Sequence, residues 1–189
     1  YPEHKCLVIN VETCSLNCYV DESIEKIVAN AIFGDGASAM FLQRSSQRDR
    51  PKLLTYDSFF IPEKIESIKI NQLKGEYRLS LSKHVPSLIG DNIESVCQDF
   101  IQDNDLKTED IDYWVVHPGG KKILQQVEDA LNLNKNDLKF SRRILKEYGN
   151  MSSATIGYVL NEIIRSEPEK DKIGLMLGFG PGLSIEQAL

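Results

Sequence analysis

The chain has 189 residues, of which 41% are hydrophobic and 26% are charged, which is typical of a globular protein and not of a disordered or fibrous one. A formal net charge of −6 argues against a nucleic-acid partner, because phosphate contacts need clustered Lys and Arg. Because no apolar run reaches the roughly 18 to 20 residues of a membrane-spanning helix, and no signal sequence is evident, we expect no membrane span and a cytoplasmic location.

The four cysteines lack the spacing of a metal site. Cys14 and Cys18 have no second Cys or His pair beside them, and Cys6 and Cys97 stand apart. We therefore expect reduced thiols and no bound metal. The chain opens at Tyr1 and enters a strand-like run at once, so we interpret it as the downstream part of something longer.

The first 43 residues are predicted to form a strand, a helix and a second strand. Residues 6–11 are a β-branched apolar run typical of a buried strand. Apolar residues recur at helical spacing over 21–31, and small residues resume a strand over 37–42. The polar stretch 44–52 indicates a domain junction, so we predict two domains, at 1–43 and 44–189.

The rest of the chain alternates strands with amphipathic helices, which indicates a layered α/β fold. Predicted strands span residues 53–61, 76–82, 111–116, 173–177 and 183–189. Predicted helices span residues 86–101, 121–131, 141–148 and 152–165, with Ser141 as the expected cap of the third. The segment 62–75 is polar and gives no clear signal.

Three segments of the second domain are candidates for chemistry. His117 follows a buried strand and precedes Pro118, Gly119 and Gly120, so its imidazole is held rigidly while a ligand can approach the next helix. Asn150 opens a helix whose first turn is made of small residues. Its carboxamide either donates into a pocket or caps the helix, and the residues alone leave both interpretations open.

The third segment is the glycine-rich stretch 178–182, which on its own is equally consistent with a hairpin that has no chemical role. His117 has a similar alternative, a histidine satisfied by hydrogen bonds within a turn.

Together these segments carry a specific pattern. Trp-Val-Val-His-Pro-Gly-Gly at 114–120, Glu-Tyr-Gly-Asn-Met-Ser-Ser-Ala at 147–154 and Gly-Phe-Gly-Pro-Gly-Leu at 178–183 closely resemble the C-terminal motifs of type III polyketide synthases of the chalcone synthase kind. Phe-Gly-Asp-Gly-Ala at 33–37 matches a fourth motif in the same order. The resemblance implies a thiolase-like fold with αβαβα layers in the complete enzyme, here the end of its first half and the whole of its second.

The resemblance also implies an acyltransferase that uses a Cys, a His and an Asn. In the family, a Cys accepts an acyl starter from CoA, malonyl-CoA loses carbon dioxide, and the carbanion attacks the acyl thioester in a decarboxylative Claisen condensation. By the match, His117 and Asn150 stabilise the enolate oxygen, and His117 also pairs with the Cys thiolate. Acyl-CoA and malonyl-CoA are then substrates, and no further cofactor is implied.

Other motif positions match the walls of the family's substrate cavity. By resemblance, Phe33 is an aromatic gate beside the malonyl carboxylate, and Gly119 and Gly120 contact CoA. The remaining pocket positions are Cys14, Asn17, Gly75, Leu79, Ser152, Phe179 and Pro181. Leu79 stands where relatives carry a second aromatic, which leaves room for an aliphatic starter.

The match fails at the nucleophile. The family's Cys lies in a glycine-flanked turn upstream of the segment with which this chain opens, and none of the four cysteines occupies such a turn. We therefore expect this chain alone to be inactive, and to associate with a complementary first half or with itself, the complete enzyme being a homodimer. The alternatives are a non-catalytic thiolase-fold subunit that partners a Cys-bearing chain, or a relative of the initiating ketoacyl carrier-protein synthases.

Overall fold

The computed structural model describes residues 4–17, 24–44, 50–73, 76–169 and 171–189. Its strands are β1 Lys5–Glu12, β2 Gly36–Gln43, β3 Tyr56–Phe60, β4 Ile68–Leu73, β5 Glu76–Leu81, β6 Tyr113–Val116, β7 Gly174–Gly180 and β8 Ser184–Ala188. Its helices are α1 Ile24–Ile32, α2 Val85–Asp103, α3 Lys121–Ala130, α4 Lys139–Tyr148 and α5 Ala154–Arg165. Short 3-10 turns occur at Cys14–Asn17, Pro62–Lys64 and Thr108–Asp110.

A four-stranded sheet in the order β3-β8-β7-β6 forms the centre of the fold. Strands β6 and β7 are parallel, with Val116 opposite Leu177, whereas β8 runs antiparallel to both β7 and β3. Parallel neighbours need a crossover between them, which α3, α4 and α5 provide. The carboxyl ends of β6 and β7 therefore lie side by side, and His117 is the first residue beyond β6.

Helices cover both faces of this sheet because the strands are apolar on both sides, as buried parallel strands are. Trp114 and Val116 belong to the main hydrophobic core with α2 and α3. Val115, between them, packs into a second core with residues of α4 and α5, such as Ile144 and Val159. Because successive side chains of β6 point to opposite faces of the sheet, the strand itself lies between the two cores.

The small sheet of β1 and β2 forms a further layer beyond α5. The two strands are antiparallel, with Asn10 opposite Ser38, and α5 packs against both of them. Gly157 of α5 approaches so closely that a Cβ on it would lie 2.7 Å from the Ser38 side chain. The order of layers is therefore α2 and α3, the four-stranded sheet, α4 and α5, and the β1–β2 sheet.

The opposite face of the β1–β2 sheet has large apolar side chains exposed to solvent. Leu7, Ile9 and Val11 alternate along β1 and are 57%, 60% and 67% exposed, and Phe41, opposite Leu7, is 59% exposed. This set is called the open face below. The sequence predicted a buried strand here, which is wrong for this chain: only one side of the strand is covered.

The structure confirms the layered α/β class, and its helices and strands follow the predicted order. Strand β4 lies inside the segment 62–75 that gave no clear signal, and β7 continues through Gly178 to Gly180. The prediction that Ser141 caps α4 is wrong, because the helix begins two residues earlier and the hydroxyl donates to the Val116 carbonyl. Within the described ranges, no helix is long and apolar enough to cross a bilayer, and no group of side chains could hold a metal ion.

Candidate active site

His117 is held at the carboxyl end of β6 by the sheet itself. Its backbone N–H donates to the Leu177 carbonyl at 2.8 Å, which continues the β6–β7 ladder by one residue. Its carbonyl accepts from the Gly119 N–H at 3.0 Å, so the chain turns sharply over Pro118 and starts α3 at Lys121. The position of the imidazole is therefore set by strand pairing and not by a flexible loop.

Burial lowers the pKa of His117 to about 4, from an ordinary value of 6.5. The ring keeps some accessible surface, but the protein atoms packed around it exclude enough water to disfavour the charged form. At neutral pH the imidazole is therefore uncharged, with one nitrogen able to donate and the other able to accept a hydrogen bond.

Asn150 is fixed through both ends of its carboxamide. Its Oδ1 accepts the Ser152 N–H at 2.9 Å, and its Nδ2 donates to the Gly119 carbonyl at 3.1 Å. Ser152 has φ of 50°, an uncommon value for a residue other than glycine, in the turn that Oδ1 closes. The oxygen thus closes the turn ahead of α5, whose N-cap residue is Ser153, so Asn150 does not cap the helix. The nitrogen donates to the turn that follows His117.

The side chains of His117 and Asn150 both lie close to Gly119. A Cβ on Gly119 would lie 3.6 Å from Nε2 of His117, and the carbonyl of the same glycine accepts from Nδ2 of Asn150. An amide nitrogen has two hydrogens, and Gly119 uses only one of them. The structure therefore places the side chains of His117 and Asn150 beside the same glycine.

Phe33 is joined to Asn150 through the backbone. Asn150 N–H donates to the Ile32 carbonyl at 2.8 Å, and Gly34 N–H donates to the Asn150 carbonyl at 3.0 Å, which together form an isolated parallel bridge between Phe33 and Asn150. This bridge places the Phe-Gly-Asp-Gly segment, which comes from the first predicted domain, directly against the Gly-Asn-Met segment of the second.

Cys14 and Asn17 lie at the two ends of a 3-10 turn that is tied to the same segment. The backbone N–H and the hydroxyl of Ser15 donate to the two carboxylate oxygens of Asp35 at 2.7 and 2.6 Å, and these bonds lower the pKa of Asp35 below its ordinary value. The same turn contacts β5, which carries Leu79. Gly75 lies outside the described residues.

The remaining predicted positions follow β7. Phe179 is two residues beyond the Leu177 carbonyl that holds His117, and it packs partly against the main core. Pro181 is exposed in the turn between β7 and β8, where Gly182 has φ of 73° and donates to the Ile68 carbonyl of β4 at 3.0 Å. Since β4 pairs with β5, the turn between β7 and β8 is connected through β4 to the strand that carries Leu79.

These contacts connect the described members of the predicted site in series, and those members are called the rim below. Two cavities were found in the described part of the chain, and none of the predicted site residues lines either of them. The larger of the two, of about 470 Å³, lies at the amino end of β6 and is lined by residues such as Asp112 and Trp114. Cys97 lies on the buried face of α2, where burial raises the pKa of its thiol to about 12.

Residues 53–189 match the family model described as chalcone and stilbene synthases, C-terminal domain. The chain belongs to the chalcone and stilbene synthase family. The match covers the three motifs with His117, Asn150 and the glycine-rich stretch, and it confirms the family that those motifs predicted.

Solved structures of this family superpose closely on the chain. PKS-I from the brown alga Ectocarpus siliculosus is 28% identical with a TM-score of 0.90, over 99% of this chain and 52% of that one. The C-terminal type III polyketide synthase domain of Steely1, a type I/III hybrid from Dictyostelium, is 25% identical with a TM-score of 0.88, over 100% of this chain and 54% of that one. The chain thus has the thiolase-like fold of a type III polyketide synthase and spans about half the length of these relatives.

Three residues that hold the segments around Asn150 and His117 were not predicted to do so. Glu12 of β1 accepts hydrogen bonds from the N–H of Ser153, at 3.2 Å, and from the Ser153 hydroxyl. The Thr155 hydroxyl accepts from the Met151 N–H at 2.8 Å, and the Ser141 hydroxyl donates to the Val116 carbonyl at 2.6 Å. A signal existed for Ser141, since it lies three residues from both Leu138 and Ile144 and is therefore a polar residue on an apolar helix face. No comparable sequence signal marks Glu12.

Proposed function

We propose that this chain supplies the His and Asn of a type III polyketide synthase active site, in which malonyl-CoA is decarboxylated and condensed with an acyl-CoA starter. The observation that carries the proposal is that Gly119 neighbours both groups: a Cβ on it would lie 3.6 Å from Nε2 of His117, and its carbonyl accepts from Nδ2 of Asn150 at 3.1 Å. Two donors on rigid elements are what an enolate oxygen requires, because they need no reorganisation when charge develops.

The proposed reaction has two steps. The bond from the malonyl carboxylate to its α-carbon breaks, carbon dioxide leaves, and the electron pair forms a thioester enolate whose oxygen accepts from His117 and Asn150. The enolate carbon then attacks the acyl thioester on a Cys, a carbon–carbon bond forms, and the thiolate leaves. CoA thioesters are the only substrates, and no metal or other cofactor enters either step.

The Cys is proposed to come from a complementary first half of the fold, on the same polypeptide or on a second one. The open face supports this, because Leu7, Ile9, Val11 and Phe41 lie where the fifth layer of an αβαβα fold would pack. A neutral His117 is consistent with a chain that lacks its nucleophile. An adjacent thiolate would stabilise the protonated ring and raise its pKa.

The proposed walls of the substrate pocket are Phe33, Cys14, Asn17, Gly75, Leu79, Ser152, Phe179 and Pro181. Phe33 would present an apolar face that favours loss of charge from malonate, and Gly119 and Gly120 would allow the CoA arm to approach α3. Leu79 is partly exposed on β5, opposite Ile70 of β4, so two aliphatic side chains are directly paired near this rim. We propose an aliphatic starter on that basis.

The test uses the assembled protein, meaning this chain together with its complementary first half. Carbon dioxide release from carboxyl-labelled malonyl-CoA, with an acyl-CoA starter present, is measured for the wild type, His117→Ala and Asn150→Ala. Each substitution is expected to lower turnover by about 100-fold or more, because each removes one oxyanion donor. The matched controls are His84→Ala and Asn161→Ala, exposed residues of the same types directly before α2 and near the middle of α5.

Normal turnover in both His117→Ala and Asn150→Ala would refute the proposal and favour a non-catalytic subunit that retains only the fold. A fall in the two control variants of similar size would mean that the loss reflects general destabilisation of the assembly. The starter is identified separately, by comparing kcat/KM for acyl-CoAs of increasing chain length.

A further inference from the structure

The peptide bond between Val116 and His117 is held from both sides. Its N–H donates to the Leu177 carbonyl at 2.8 Å, and its carbonyl accepts from the hydroxyl of Ser141 at 2.6 Å. The two bonds point in opposite directions from one rigid plane. Because this plane leads directly into the Cα of His117, its orientation determines where the imidazole lies.

Ser141 bonds to β6 on the side that faces away from β7. In the described sheet order, β6 is an edge strand, and no other strand pairs with the side on which the Val116 carbonyl lies. An unpaired carbonyl in a buried position is unfavourable, and Val116 is fully buried. The hydroxyl of Ser141, itself fully buried, satisfies that carbonyl from α4.

Helix α4 is anchored independently of this bond. Arg142 bonds with both carboxylate oxygens of Glu128, which is buried on α3, with Nε to Oε1 at 2.9 Å. Leu138 and Ile144, on either side along the helix, are fully buried in the two cores. Removal of the Ser141 hydroxyl should therefore leave α4 in place, since alanine is also a good helix former.

We propose that Ser141 is a positioning residue that orients His117 through the Val116 carbonyl. Its role in turnover rests on the proposed function, whereas its role in orienting the imidazole does not. The hydroxyl stops the end of β6 from moving away from α4, and so keeps Nε2 of His117 beside Gly119 and Asn150.

The first experiment compares Ser141→Ala, Ser141→Thr and Ser141→Cys in the assembled protein. Ser141→Ala is expected to lower kcat by about 10- to 100-fold, since misplacement of a catalytic group by about 1 Å has that effect, with KM for malonyl-CoA changed less than about twofold. Ser141→Thr keeps the hydroxyl and should restore most of the rate. Ser141→Cys, with a weak donor of similar shape, should be intermediate.

The second experiment needs no activity. The chain has three histidines, so the ring signals of His117 can be followed by NMR in the full 189-residue chain, with His4 and His84 as internal references. In Ser141→Ala the loosened strand end should admit water, so the titration midpoint of His117 should rise from about 4 towards the ordinary 6.5. Ser141→Thr should retain the low midpoint.

The matched control is Ser166→Ala. Ser166 also donates its hydroxyl to a backbone carbonyl, that of Ile163 at 2.7 Å, but at the far end of α5. An unchanged His117 midpoint together with unchanged kcat in folded Ser141→Ala would overturn the inference. If His117→Ala and Asn150→Ala both leave turnover normal, the proposed function fails, and the NMR result alone decides whether Ser141 orients the ring. If Ser141→Ala does not fold, Ser141→Cys decides both measurements.

Discussion

The burial of His117 should make the free energy of unfolding depend on pH. Because burial lowers its pKa to about 4, the unfolded chain binds the proton first as the pH falls. The stabilising effect of the neutral ring is therefore complete above about pH 6.5, and it is lost progressively between 6.5 and 4. A shift of this size corresponds to roughly 3 kcal/mol in the free energy of unfolding.

The prediction is that His117→Gln flattens this part of the pH profile. Urea unfolding at pH 7, 5.5 and 4.5 measures the free energy of unfolding of the wild type and the variant. The difference between them should change by roughly 2.5 kcal/mol over this range, in favour of the variant at low pH. His84→Gln, at an exposed histidine, is the control, and a difference that does not vary with pH would contradict the burial argument.

At the scale of elements, the site depends on the close contact of two glycine-containing turns. A Cβ on Gly34 would lie 2.4 Å from the Tyr148 carbonyl oxygen, and one on Gly149 would lie 2.6 Å from the Ile32 carbonyl oxygen. Both obstacles are backbone atoms, which cannot move aside. Gly149 also has φ of 76°, a value that favours glycine.

Gly34→Ala and Gly149→Ala are therefore each expected to lower the free energy of unfolding by about 1 to 3 kcal/mol. Gly174→Ala is the matched control, because a Cβ there would lie 3.5 Å from its nearest neighbour, an ordinary contact. Denaturant unfolding of the three variants measures the effect. Equal stability of Gly34→Ala and Gly174→Ala would show that the two turns do not meet as described.

At the scale of the whole molecule, the open face should determine assembly. Ile9 lies at its centre, opposite Ala39, and a lysine there would have to lose its hydration if the face is covered. We predict that Ile9→Lys lowers recovery of the complementary first half, co-expressed and captured through this chain, by at least about tenfold.

Ile164→Lys is the control for that measurement. Ile164 is also partly exposed, but it lies near the end of α5, away from the open face. Full recovery with Ile9→Lys would contradict the predicted position of the partner, whereas equal loss with both variants would indicate a general solubility effect.

The order of elements and the family could be read from sequence because both depend on local patterns. Helical spacing in α2 and β-branched runs in β6 report which side chains are apolar, and the motifs around His117 and Asn150 are long enough to be specific. Strand β4 escaped prediction because the alternation of Ile68 and Ile70 with polar neighbours is short and ends at Gln72, and its pairing with β5 comes from tertiary structure.

Periodicity and motif order are properties of neighbours along the chain, so they were sufficient to predict the α/β class, the family and the residue types available for chemistry. Three features could be found only in the folded protein: the division of the Asn150 amide between Ser152 and Gly119, the bond from Ser141 to the Val116 carbonyl, and the uncovered face of β1. These features depend on atoms far apart in sequence, whose distances are set by the packing of layers and not by any local preference.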